Sequence, residues 1–517
     1  MDGHGRAGPP GDPGGGGLGS GGELAGEPGG GGGLAGEPGG GRDPFGELRA
    51  LAGDCVHCGF CLPVCPTYQL WGEEMDSPRG RIHLMTQVLD GAELSDATAE
   101  HLDRCLGCMA CVPACPSGVQ YNRLIEAART WVEDPGERPG AHDAEDGGYS
   151  RTLRGRAARA AIFSVFPHPR RLRLLTGPLR AAQRMGLDEL IRRSSLPGRV
   201  SPELEAALRL APPRPGRVPR LPALVPARGQ RRAVVGMLTG CVQGVFFPRV
   251  NTATARVLAA EGCDVIIPTG QGCCGALSLH AGRRSEAVRL AKRTIAMFER
   301  AGVAAVVVNS AGCGSAMKEY GQLLAGDPDW AARAEAMAGQ VRDFAEFLAE
   351  LTGEPAGAGG TTGAAGTVGT GGTADGGARD GGSGPVAPRH PLPVRAVYHD
   401  ACHLGHAQGI KAQPRALLRA IPGLELAETG DGGVCCGSAG VYNLLQPQTA
   451  RELGVRKAAT IEATGAELLI SANPGCSLQI ATALAARGVS MPVAHTAQVL
   501  DASIRGLPVS SLTRPAR

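Results

Sequence analysis

The chain has 517 residues, of which 80 are glycine and 17 are cysteine, and its formal net charge is +3. This length predicts about two to four domains. The weak net charge, the scattered arginines and an aromatic content of only 3% argue against a nucleic-acid-binding protein. Cysteines that occur in clusters and adjacent pairs are typical of metal sites in a reducing compartment and argue against a disulfide scaffold.

Residues 1–43 are rich in glycine and proline and repeat the sequence Leu-Ala-Gly-Glu-Pro, starting at Leu24 and at Leu34. Such a segment buries too little apolar surface to offset the entropy of ordering, so we expect a disordered tail. It has no apolar run flanked by basic residues, and the chain has no run of about eighteen apolar residues. We therefore expect a cytoplasmic protein, with peripheral association at the inner face of the cell membrane as an open alternative.

Residues 44–135 contain two copies of one cysteine run, fifty residues apart. Each copy has the spacing C-x2-C-x2-C-x3-C-P, which is typical of bacterial ferredoxins with two [4Fe–4S] clusters. In that pattern three thiolates bind one cluster, and the fourth, predicted to start the following helix, binds the other. Two zinc sites are the alternative, although zinc sites usually show paired C-x-x-C knuckles. The predicted ligand sets are Cys55, Cys58, Cys61 and Cys115 for the first cluster and Cys105, Cys108, Cys111 and Cys65 for the second.

Helical runs at 45–52 and 82–89 flank the cysteine loops and predict a helical dicluster module. Three arginines, Arg79, Arg81 and Arg104, are candidates for placing positive charge beside the anionic clusters, which would raise their reduction potentials. Surface ion pairs are the alternative role for each of them.

Residues 136–231 are rich in arginine and proline and are predicted to form a helical and proline-rich connector. Amphipathic helices are predicted at 151–163 and 179–191, and a proline-rich linker at 211–230. We expect the basic helix faces to be solvated. Contact with a membrane surface or a partner subunit is the open alternative.

Residues 232–352 alternate strand-like apolar runs with helical segments, which predicts a parallel sheet with covering helices. Strands are predicted at 233–239, 264–268 and 304–309, and helices at 252–261, 285–300 and 330–351. The cysteines of this part follow the carboxyl ends of the strands, which is the edge where open α/β sheets bind ligands.

After a linker rich in glycine, threonine and alanine at 353–389, residues 390–517 repeat this alternation. Strands are predicted at 394–399, 429–434 and 468–472, and helices at 414–420, 448–464 and 477–487. The predicted fold class is thus a multidomain α+β chain, with a helical dicluster ferredoxin-like module followed by two related α/β domains with parallel sheets.

Each α/β half carries four cysteines in the order C…CC…C. Adjacent cysteines rarely form a disulfide with each other, because the ring would be strained. They can hold an iron–sulfur cluster or zinc, or carry out thiol–disulfide chemistry, and buried inert thiols are a further alternative. The candidate metal ligands are Cys241, Cys273, Cys274 and Cys313 in the first half and Cys402, Cys435, Cys436 and Cys476 in the second.

Other side chains near these thiols are assigned more ordinary roles. Cys263 has no counterpart in the second half and is expected to be a core residue. Four polar residues lie near Cys402 in the sequence, namely His399, Asp400, His403 and His406. We expect them to occupy core or surface positions, and binding of a metal or a proton by one of them is the open alternative.

A two-cluster ferredoxin module followed by two cysteine-rich CCG domains resembles the glycolate oxidase iron–sulfur subunits. The resemblance implies that separate FAD-binding subunits oxidise glycolate to glyoxylate, while this chain passes electrons through two [4Fe–4S] clusters toward quinone or another acceptor. The absence of a dinucleotide-binding fingerprint at a strand–helix junction agrees with FAD on a partner. The motifs that carry the resemblance are Cys55-Val-His-Cys-Gly-Phe-Cys61, Ser77-Pro-Arg-Gly-Arg-Ile82, His101-Leu-Asp-Arg-Cys105, Ser310-Ala-Gly-Cys-Gly314 and Cys435-Cys-Gly-Ser-Ala-Gly440.

Three other functions remain open on the sequence. The first is an equivalent subunit for L-lactate or glycerol-3-phosphate oxidation, and the second is a zinc protein without redox chemistry. The third is a thiol–disulfide enzyme like the heterodisulfide reductases, whose related domains end each module with C-x-x-C. Here Cys313 is followed by Gly-Ser-Ala and Cys476 by Ser-Leu-Gln, so each module lacks the fifth thiol.

Overall fold

The computed structural model describes residues 45–140, 152–185, 202–212, 218–353 and 384–513. The predicted N-terminal tail and most of the linker predicted at 353–389 lie outside these ranges, as does the end of the helix predicted at 179–191. No helix within the described ranges combines the length and the apolar character that crossing a bilayer requires.

The N-terminal part of the described chain is helical. Its core is made of fully buried apolar side chains from three helices, among them Met85, Leu102 and Ile125, and each such side chain contributes about 1.5–3 kcal/mol on burial. Ser77 caps the third helix by accepting a hydrogen bond from the backbone N–H of Gly80 at 3.0 Å. The helices are α1 (Gly46–Gly53), α2 (Pro66–Trp71), α3 (Pro78–Leu89), α4 (Asp96–Arg104) and α5 (Tyr121–Glu133).

The two cysteine runs end differently. Pro66 follows Cys65 and begins α2, where the missing N–H of proline has no cost. The sequence predicted the same after Cys115, and that prediction is wrong. Gly118 has a φ of +68°, which interrupts helical geometry, and α5 begins only at Tyr121.

Among the described residues between this part and the first α/β module there are three helices. The side chain of Arg159 joins the two parts, because it donates to Glu133 Oε2 at 2.9 Å and to the carbonyl of Ala281 at 2.7 Å. The connecting helices are α6 (Leu153–Val165), α7 (Pro169–Arg184) and α8 (Pro202–Arg209).

The first α/β module is a five-stranded sheet covered by helices, with the strand order β1-β3-β2-β4-β5. All neighbouring strands are parallel except β1, which pairs with β3 in the antiparallel direction. The strands are β1 (Leu224–Val225), β2 (Ala233–Leu238), β3 (Cys263–Ile266), β4 (Ala305–Val308) and β5 (Val341–Asp343). The helices are α9 (Val242–Phe246), α10 (Pro248–Ala260), α11 (Ala276–Leu279), α12 (Arg284–Ala301), α13 (Ala311–Lys318), α14 (Tyr320–Leu323), α15 (Ala331–Gln340) and α16 (Phe344–Thr352).

The second α/β module is a four-stranded parallel sheet in the order β7-β6-β8-β9. Its strands are β6 (Val394–His399), β7 (Leu424–Ala427), β8 (Leu468–Ser471) and β9 (Val493–Ala494). Its helices are α17 (Cys402–Gly405), α18 (Ala412–Arg419), α19 (Tyr442–Leu445), α20 (Pro447–Glu462), α21 (Pro474–Ala486), α22 (Thr496–Ile504) and α23 (Ser510–Thr513). The predicted fold class is confirmed, with parallel α/β modules after a helical part.

Two predicted elements are wrong. No strand spans 429–434, because Gly432 and Gly433 have φ values of +61° and +85°, and the strand lies earlier, at β7. The single helix predicted at 330–351 is α15 and α16 with β5 between them, because Asp343 caps a new helix by accepting from the backbone N–H of Ala345 at 2.8 Å. The two-residue strands β1 and β9 were not predicted, since two residues show no periodicity.

The two modules pack as a pair. Helix α10 lies against α22 and α16 lies against α18, as expected for an approximate two-fold relation between equivalent helices. One hydrophobic core runs through both sheets and includes Val235 and Ala396. The ends of β4 and β8 also meet, because the N–H of Ala311 donates to the carbonyl of Ala472 at 3.2 Å. The carboxyl ends of the two sheets are therefore held close together.

Candidate metal centres

The two cysteine runs form loops with the same unusual backbone. In the first loop His57 and Gly59 have φ values of +53° and +88°, and in the second Gly107 and Met109 have values of +62° and +59° at the equivalent positions. A residue other than glycine in this conformation costs about 1–3 kcal/mol. Loops that alternate right- and left-handed residues point their N–H groups inward and bind anions, including iron–sulfur clusters. Both loops therefore fit an anionic cluster.

Each loop borders a small cavity, and the last cysteine of each run lines the cavity of the other run. Cys115, from the end of the second run, lies with the thiols of the first run, and Cys65 lies with those of the second. The first cavity is lined by Cys55, Cys58, Cys61, Cys111 and Cys115. The second cavity is lined by Cys65, Cys105, Cys108 and Cys111. The structure thus brings the eight thiols together around two cavities, and because Cys111 lines both, the division into two ligand sets stays a prediction.

The second cavity is positively charged. Burial opposes ionisation of the Cys105 thiol, yet the charges of Arg81 and Arg129 outweigh it and lower the pKa of Cys105. The Cys105 Sγ also accepts hydrogen bonds from the N–H of Gly107 at 3.3 Å and from the hydroxyl of Tyr121 at 3.6 Å. A thiolate is thereby stabilised at this position, which is the form that binds iron.

Arg81 is held in a buried network. It is 1% exposed and donates to the carbonyl of His101 at 2.6 Å, to the carbonyl of Asp76 at 2.5 Å and to Asp76 Oδ1 at 3.1 Å. The sequence marked this arginine as a candidate for charge near the clusters, and the structure places its charge next to Cys105.

The other candidate arginines differ from each other. Arg79 donates to the carbonyl of His57 at 2.8 Å and therefore lies beside the first loop. Arg104 pairs with Asp76 and Glu100 and lies over the ring of Trp71 at 5.1 Å. Arg129 was missed in the sequence, since it lies twenty-four residues after Cys105 on α5 and carries no local signal, but it donates to the carbonyl of Cys105.

The four cysteines of each α/β module form a chain of contacting thiols. In the first module contacts run from Cys241 to Cys273, from Cys273 to Cys274 and from Cys274 to Cys313. In the second module they run from Cys402 to Cys435, from Cys435 to Cys436 and from Cys436 to Cys476. Contact with the neighbouring thiol and burial raise the pKa of Cys241 and of Cys402. Cys263, in contrast, begins β3 and is buried in the shared core.

The glycine after each cysteine pair is required by close packing. Gly275 and Gly437 have φ values of +97° and +86°. A Cβ at Gly437 would lie 2.6 Å from the carbonyl oxygen of Ala450, and one at Gly275 would lie 3.1 Å from that of Ala287. The backbone after the thiols therefore touches the following long helix, which a larger residue would prevent.

The second module differs from the first by a histidine. The ring of His399, at the end of β6, is 1% exposed, and one of its nitrogens lies within 4.8 Å of the Sγ atoms of Cys436 and Cys476. Burial lowers the pKa of His399 to about 3, so the ring is neutral at physiological pH. The sequence predicted a core or surface role for His399, and its thiol neighbours only become evident in the fold.

The second module also covers the second cysteine loop. Leu106, Cys108 and Ala110 pack in one cluster with Cys402 and Cys435. Across the same boundary the hydroxyl of Tyr442 donates to the carbonyl of Arg104 at 3.1 Å, and His403 Nε2 lies 3.0 Å from the carbonyl of Gly107. The second cluster cavity and the second thiol chain are therefore neighbours.

A larger pocket opens on the other side of this boundary. Its volume is about 410 Å³, and Leu106 lines both this pocket and the second cluster cavity. Its polar lining includes the stacked rings of His280 and His403, with centroids 4.8 Å apart, and the guanidinium of Arg129. The further polar lining residues are Asp103, Thr152, Arg159 and Gln446, and the apolar ones include Leu277, Ala281, Ala439, Val441, Tyr442 and Leu445.

Two carboxylates lie behind this pocket. His280 Nδ1 is 3.2 Å from Glu126 Oε1, and the side chain of Asn122 donates to Glu319 Oε1 at 3.0 Å. Burial raises the pKa of Glu126, and burial together with the charge of Glu126 raises the pKa of Glu319. The pair therefore retains a proton near neutral pH, beside a histidine that faces the pocket.

Family comparisons cover most of the chain. A 4Fe-4S dicluster domain model matches residues 52–119, and the linker-region model of the glycolate oxidase iron-sulfur subunit matches residues 154–211. The cysteine-rich domain CCG matches twice, at residues 235–318 and 396–481.

Individual relatives agree with these matches. The chain is 36% identical to the probable glycolate oxidase iron-sulfur subunit of Bacillus subtilis, over 86% of this chain and 93% of the relative. It is 35% identical to the glycolate oxidase iron-sulfur subunit of Escherichia coli, over 84% of this chain and 92% of the relative. Lactate utilization protein A of Shouchella clausii is 31% identical over 52% of this chain and 98% of its own length.

Proposed function

The chain belongs to the glycolate oxidase iron–sulfur subunit family, and we propose that it serves a complex whose FAD-binding subunits oxidise glycolate to glyoxylate. In this complex the chain is the electron-transfer subunit, and quinone is the proposed final acceptor. The observation that carries the proposal is the pair of adjacent thiol-lined cavities, because each offers at least the four thiols that a [4Fe–4S] cluster needs. Such clusters, when bound, take up and release one electron at a time.

The proposed ligand sets are those of the sequence prediction. The shared position of Cys65 with the second loop and of Cys115 with the first supports ligation across the two runs. We also propose that the division into domains at 44–135, 136–231, 232–352 and 390–517 separates cluster binding, connection and the two thiol-chain modules. The four family matches each lie inside one of these ranges.

We propose that electrons enter at the first cysteine loop. Cys58 is exposed there, and the apolar side chains of Val56 and Phe60 on either side of it are 68% and 65% exposed. An exposed apolar pair around a cluster ligand is suited to contact with an FAD-binding partner, because such contact excludes water and shortens the path from flavin to cluster.

We propose that electrons leave through the pocket beside Leu106. A quinone that becomes a quinol takes up two electrons and two protons. The apolar side chains in the pocket lining suit its ring, and Leu106 lines both the pocket and the second cluster cavity. The Glu126–His280 pair supports proton supply from the protein side. Peripheral association at the inner face of the membrane would give such a pocket access to membrane quinone.

Thiol–disulfide chemistry is less well supported. The attacking species in such chemistry is a thiolate, which low pKa values favour. Contact with the adjacent cysteine lowers the pKa of Cys274 and of Cys436, but contact with the last thiol of each chain and burial outweigh it and raise both pKa values. Both residues are 1% exposed. Metal binding by the thiol chain of the second module is the better proposal, because a metal ion supplies the positive charge that would ionise its thiols.

L-lactate oxidation is the second candidate function. It is favoured by the relatives named lactate utilization protein A, although these match about half of the chain. The relatives named for glycolate oxidase match 84–86% of it, so glycolate remains the first proposal.

The deciding experiment is anaerobic co-purification with the FAD-binding subunits, followed by dye reduction with glycolate, L-lactate or glycerol-3-phosphate as the electron donor. We expect glycolate to give the fastest reduction and Cys108→Ala to abolish transfer to a quinone analogue. If L-lactate reduced the dye faster than glycolate, L-lactate would become the proposed substrate in place of glycolate. Full quinone reduction by the Cys108→Ala complex would contradict the route through the second loop.

A further inference from the structure

His399 is a buried histidine without an evident partner. Its ring is 1% exposed, and neither Nδ1 nor Nε2 has a hydrogen-bond partner among the described residues. Leaving a buried polar group unpaired costs about 1–3 kcal/mol. A ring nitrogen lies within 4.8 Å of the Sγ atoms of Cys436 and Cys476, and these two sulfurs lie within the same distance of each other. Within the described ranges, no other three His, Cys, Asp or Glu ligand atoms are grouped so closely.

The first module shows what the same site looks like without the histidine. Leu238 ends β2, three residues before Cys241, as His399 ends β6 three residues before Cys402. Leu238 is 3% exposed and packs in an apolar cluster with Cys274. An apolar leucine therefore lies beside the thiols of the first module, whereas a histidine that can supply a nitrogen ligand lies beside those of the second.

Nearby charges already have partners of their own. Lys457 pairs with Asp431 at 2.5 Å, and Asp400 pairs with Arg415 at 2.7 Å. These groups therefore do not account for the position of the imidazole. The thiol side is supported instead, because the side-chain N–H of Asn473 donates to Cys476 Sγ at 3.4 Å, as outer groups do for metal-bound thiolates.

The spacing suits a single ion. A tetrahedral zinc ion binds sulfur at about 2.3 Å and nitrogen at about 2.0 Å, so its ligand atoms lie less than about 5 Å apart. A cubane cluster attaches each thiolate to a different iron and spreads the ligands further. We propose that His399, Cys436 and Cys476 bind one zinc ion. Cys435 lies outside this close group of three, but its thiol contacts Cys436, and it becomes the fourth ligand by turning toward the ion.

This site completes the Cys₃His set of closed, structural zinc sites. It leaves Cys402 outside the zinc shell, where it packs in one cluster with Cys108 of the ferredoxin loop. The ion would then fix the wall that covers the second cluster cavity without taking part in electron transfer. The inference goes beyond the proposed function and does not depend on glycolate being the substrate.

The test measures zinc, iron and acid-labile sulfide in the full chain purified anaerobically. We expect about one zinc in addition to about eight irons per chain. His399→Leu, which copies Leu238 of the first module, should lose the zinc and keep the irons. Cys313→Ser, the first-module counterpart of Cys476→Ser, is the matched control and should keep both.

A second variant distinguishes the loss of a zinc ligand from misfolding of the chain. His399→Cys should retain zinc, and X-ray absorption at the zinc edge should change from three sulfurs and one nitrogen to four sulfurs. Absence of zinc from the wild-type chain, zinc retained by His399→Leu, or additional iron with sulfide in place of zinc would each overturn the proposal. Dye reduction by glycolate, measured separately, tests the proposed function, so the failure of one is distinguishable from the failure of the other.

Discussion

The two cysteine loops are alike in spacing and backbone but differ in what covers them. Val56 and Phe60 of the first loop are 68% and 65% exposed, whereas Leu106 and Ala110 at the equivalent positions of the second are each 6% exposed. The thiols grouped with the first loop are exposed or partly exposed, and those grouped with the second are buried. A repeated motif has thus acquired two roles, one facing outward and one facing the rest of the chain.

The covering also changes the chemistry of the thiols. Burial raises the pKa of Cys61 at the first loop and of two other thiols at the second. At Cys105 of the second loop, in contrast, the charges of Arg81 and Arg129 outweigh burial and lower the pKa. Cations held in a dry environment stabilise the reduced, more negative state of a cluster more strongly than solvated cations do. We therefore expect the second cluster to have the higher reduction potential, which favours electron flow from the exposed loop to the covered one.

The largest effect is expected from replacing the fourth cysteine of each run, which is the proposed ligand of the other run's cluster. Cys65→Ser should destroy the second cluster and leave the first, with about four of about eight irons lost and electron transfer to a quinone analogue abolished. Cys115→Ser should do the reverse. Electron paramagnetic resonance and iron analysis distinguish the two outcomes. If Cys65→Ser removed only the first cluster, ligation across the runs would be wrong.

Removing the buried arginine should be the next largest effect. Arg81→Met leaves Asp76, which is 0% exposed, without its closest cation, and breaking a buried pair costs about 3–5 kcal/mol. We expect about 3 kcal/mol, the lower end, because Arg104 still reaches Asp76 at 3.2 Å. The measurement is anaerobic denaturant unfolding, together with the potential of the second cluster, which should fall.

Arg79→Met is the matched control for this substitution. Arg79 and Glu74 are 28% and 42% exposed, so their pair contributes only about 0–1 kcal/mol. Equal destabilisation by the two substitutions would show that the burial of the second loop does not matter for its charge network.

Partner binding tests the outward role of the first loop. Phe60→Glu should weaken binding of the FAD-binding subunits about 10–100-fold, since burying a phenylalanine contributes about 1.5–3 kcal/mol. Leu174→Glu changes an exposed apolar side chain on α7, away from the first loop, and is the control that should bind normally. The measurement is the dissociation constant of the purified complex. If Leu174→Glu weakened binding and Phe60→Glu did not, the partner surface would have to be assigned to the connector helices instead of the first loop.

The smallest effect concerns the proton supply at the covered loop. The raised pKa of Glu126 and Glu319 means that a proton is present below that pKa and is lost as the pH rises through it. Quinone reduction should therefore slow as the pH rises above neutral, and Glu126→Gln should lower the rate a few-fold and flatten this dependence. Ferricyanide takes electrons without protons and is the control acceptor. An unchanged pH profile in Glu126→Gln would contradict the assignment.

Local patterns were enough for much of this protein. The repeated cysteine spacing predicted a 4Fe-4S dicluster module, which the family match confirms, while its two ligand sets stay a prediction. Apolar runs alternating with helices predicted the parallel α/β modules of the fold. The predictions failed where backbone conformation overrides composition, as at the glycines after Ala427, the Asp343 cap and the turn after Cys115. Each of these depends on one or two residues, which an average over a window of sequence does not detect.

Contacts between distant segments were decided only by the tertiary structure. The sequence contains Leu106, Arg129 and Tyr442 without any sign that they meet at one boundary, and it contains His399 without a sign that two thiols lie beside it. Spacing along the chain determines which residues one loop can present, because covalent geometry limits their reach. Which loop is buried, charged and joined to a second thiol site depends on packing, because burial is a property of neighbours from other parts of the chain.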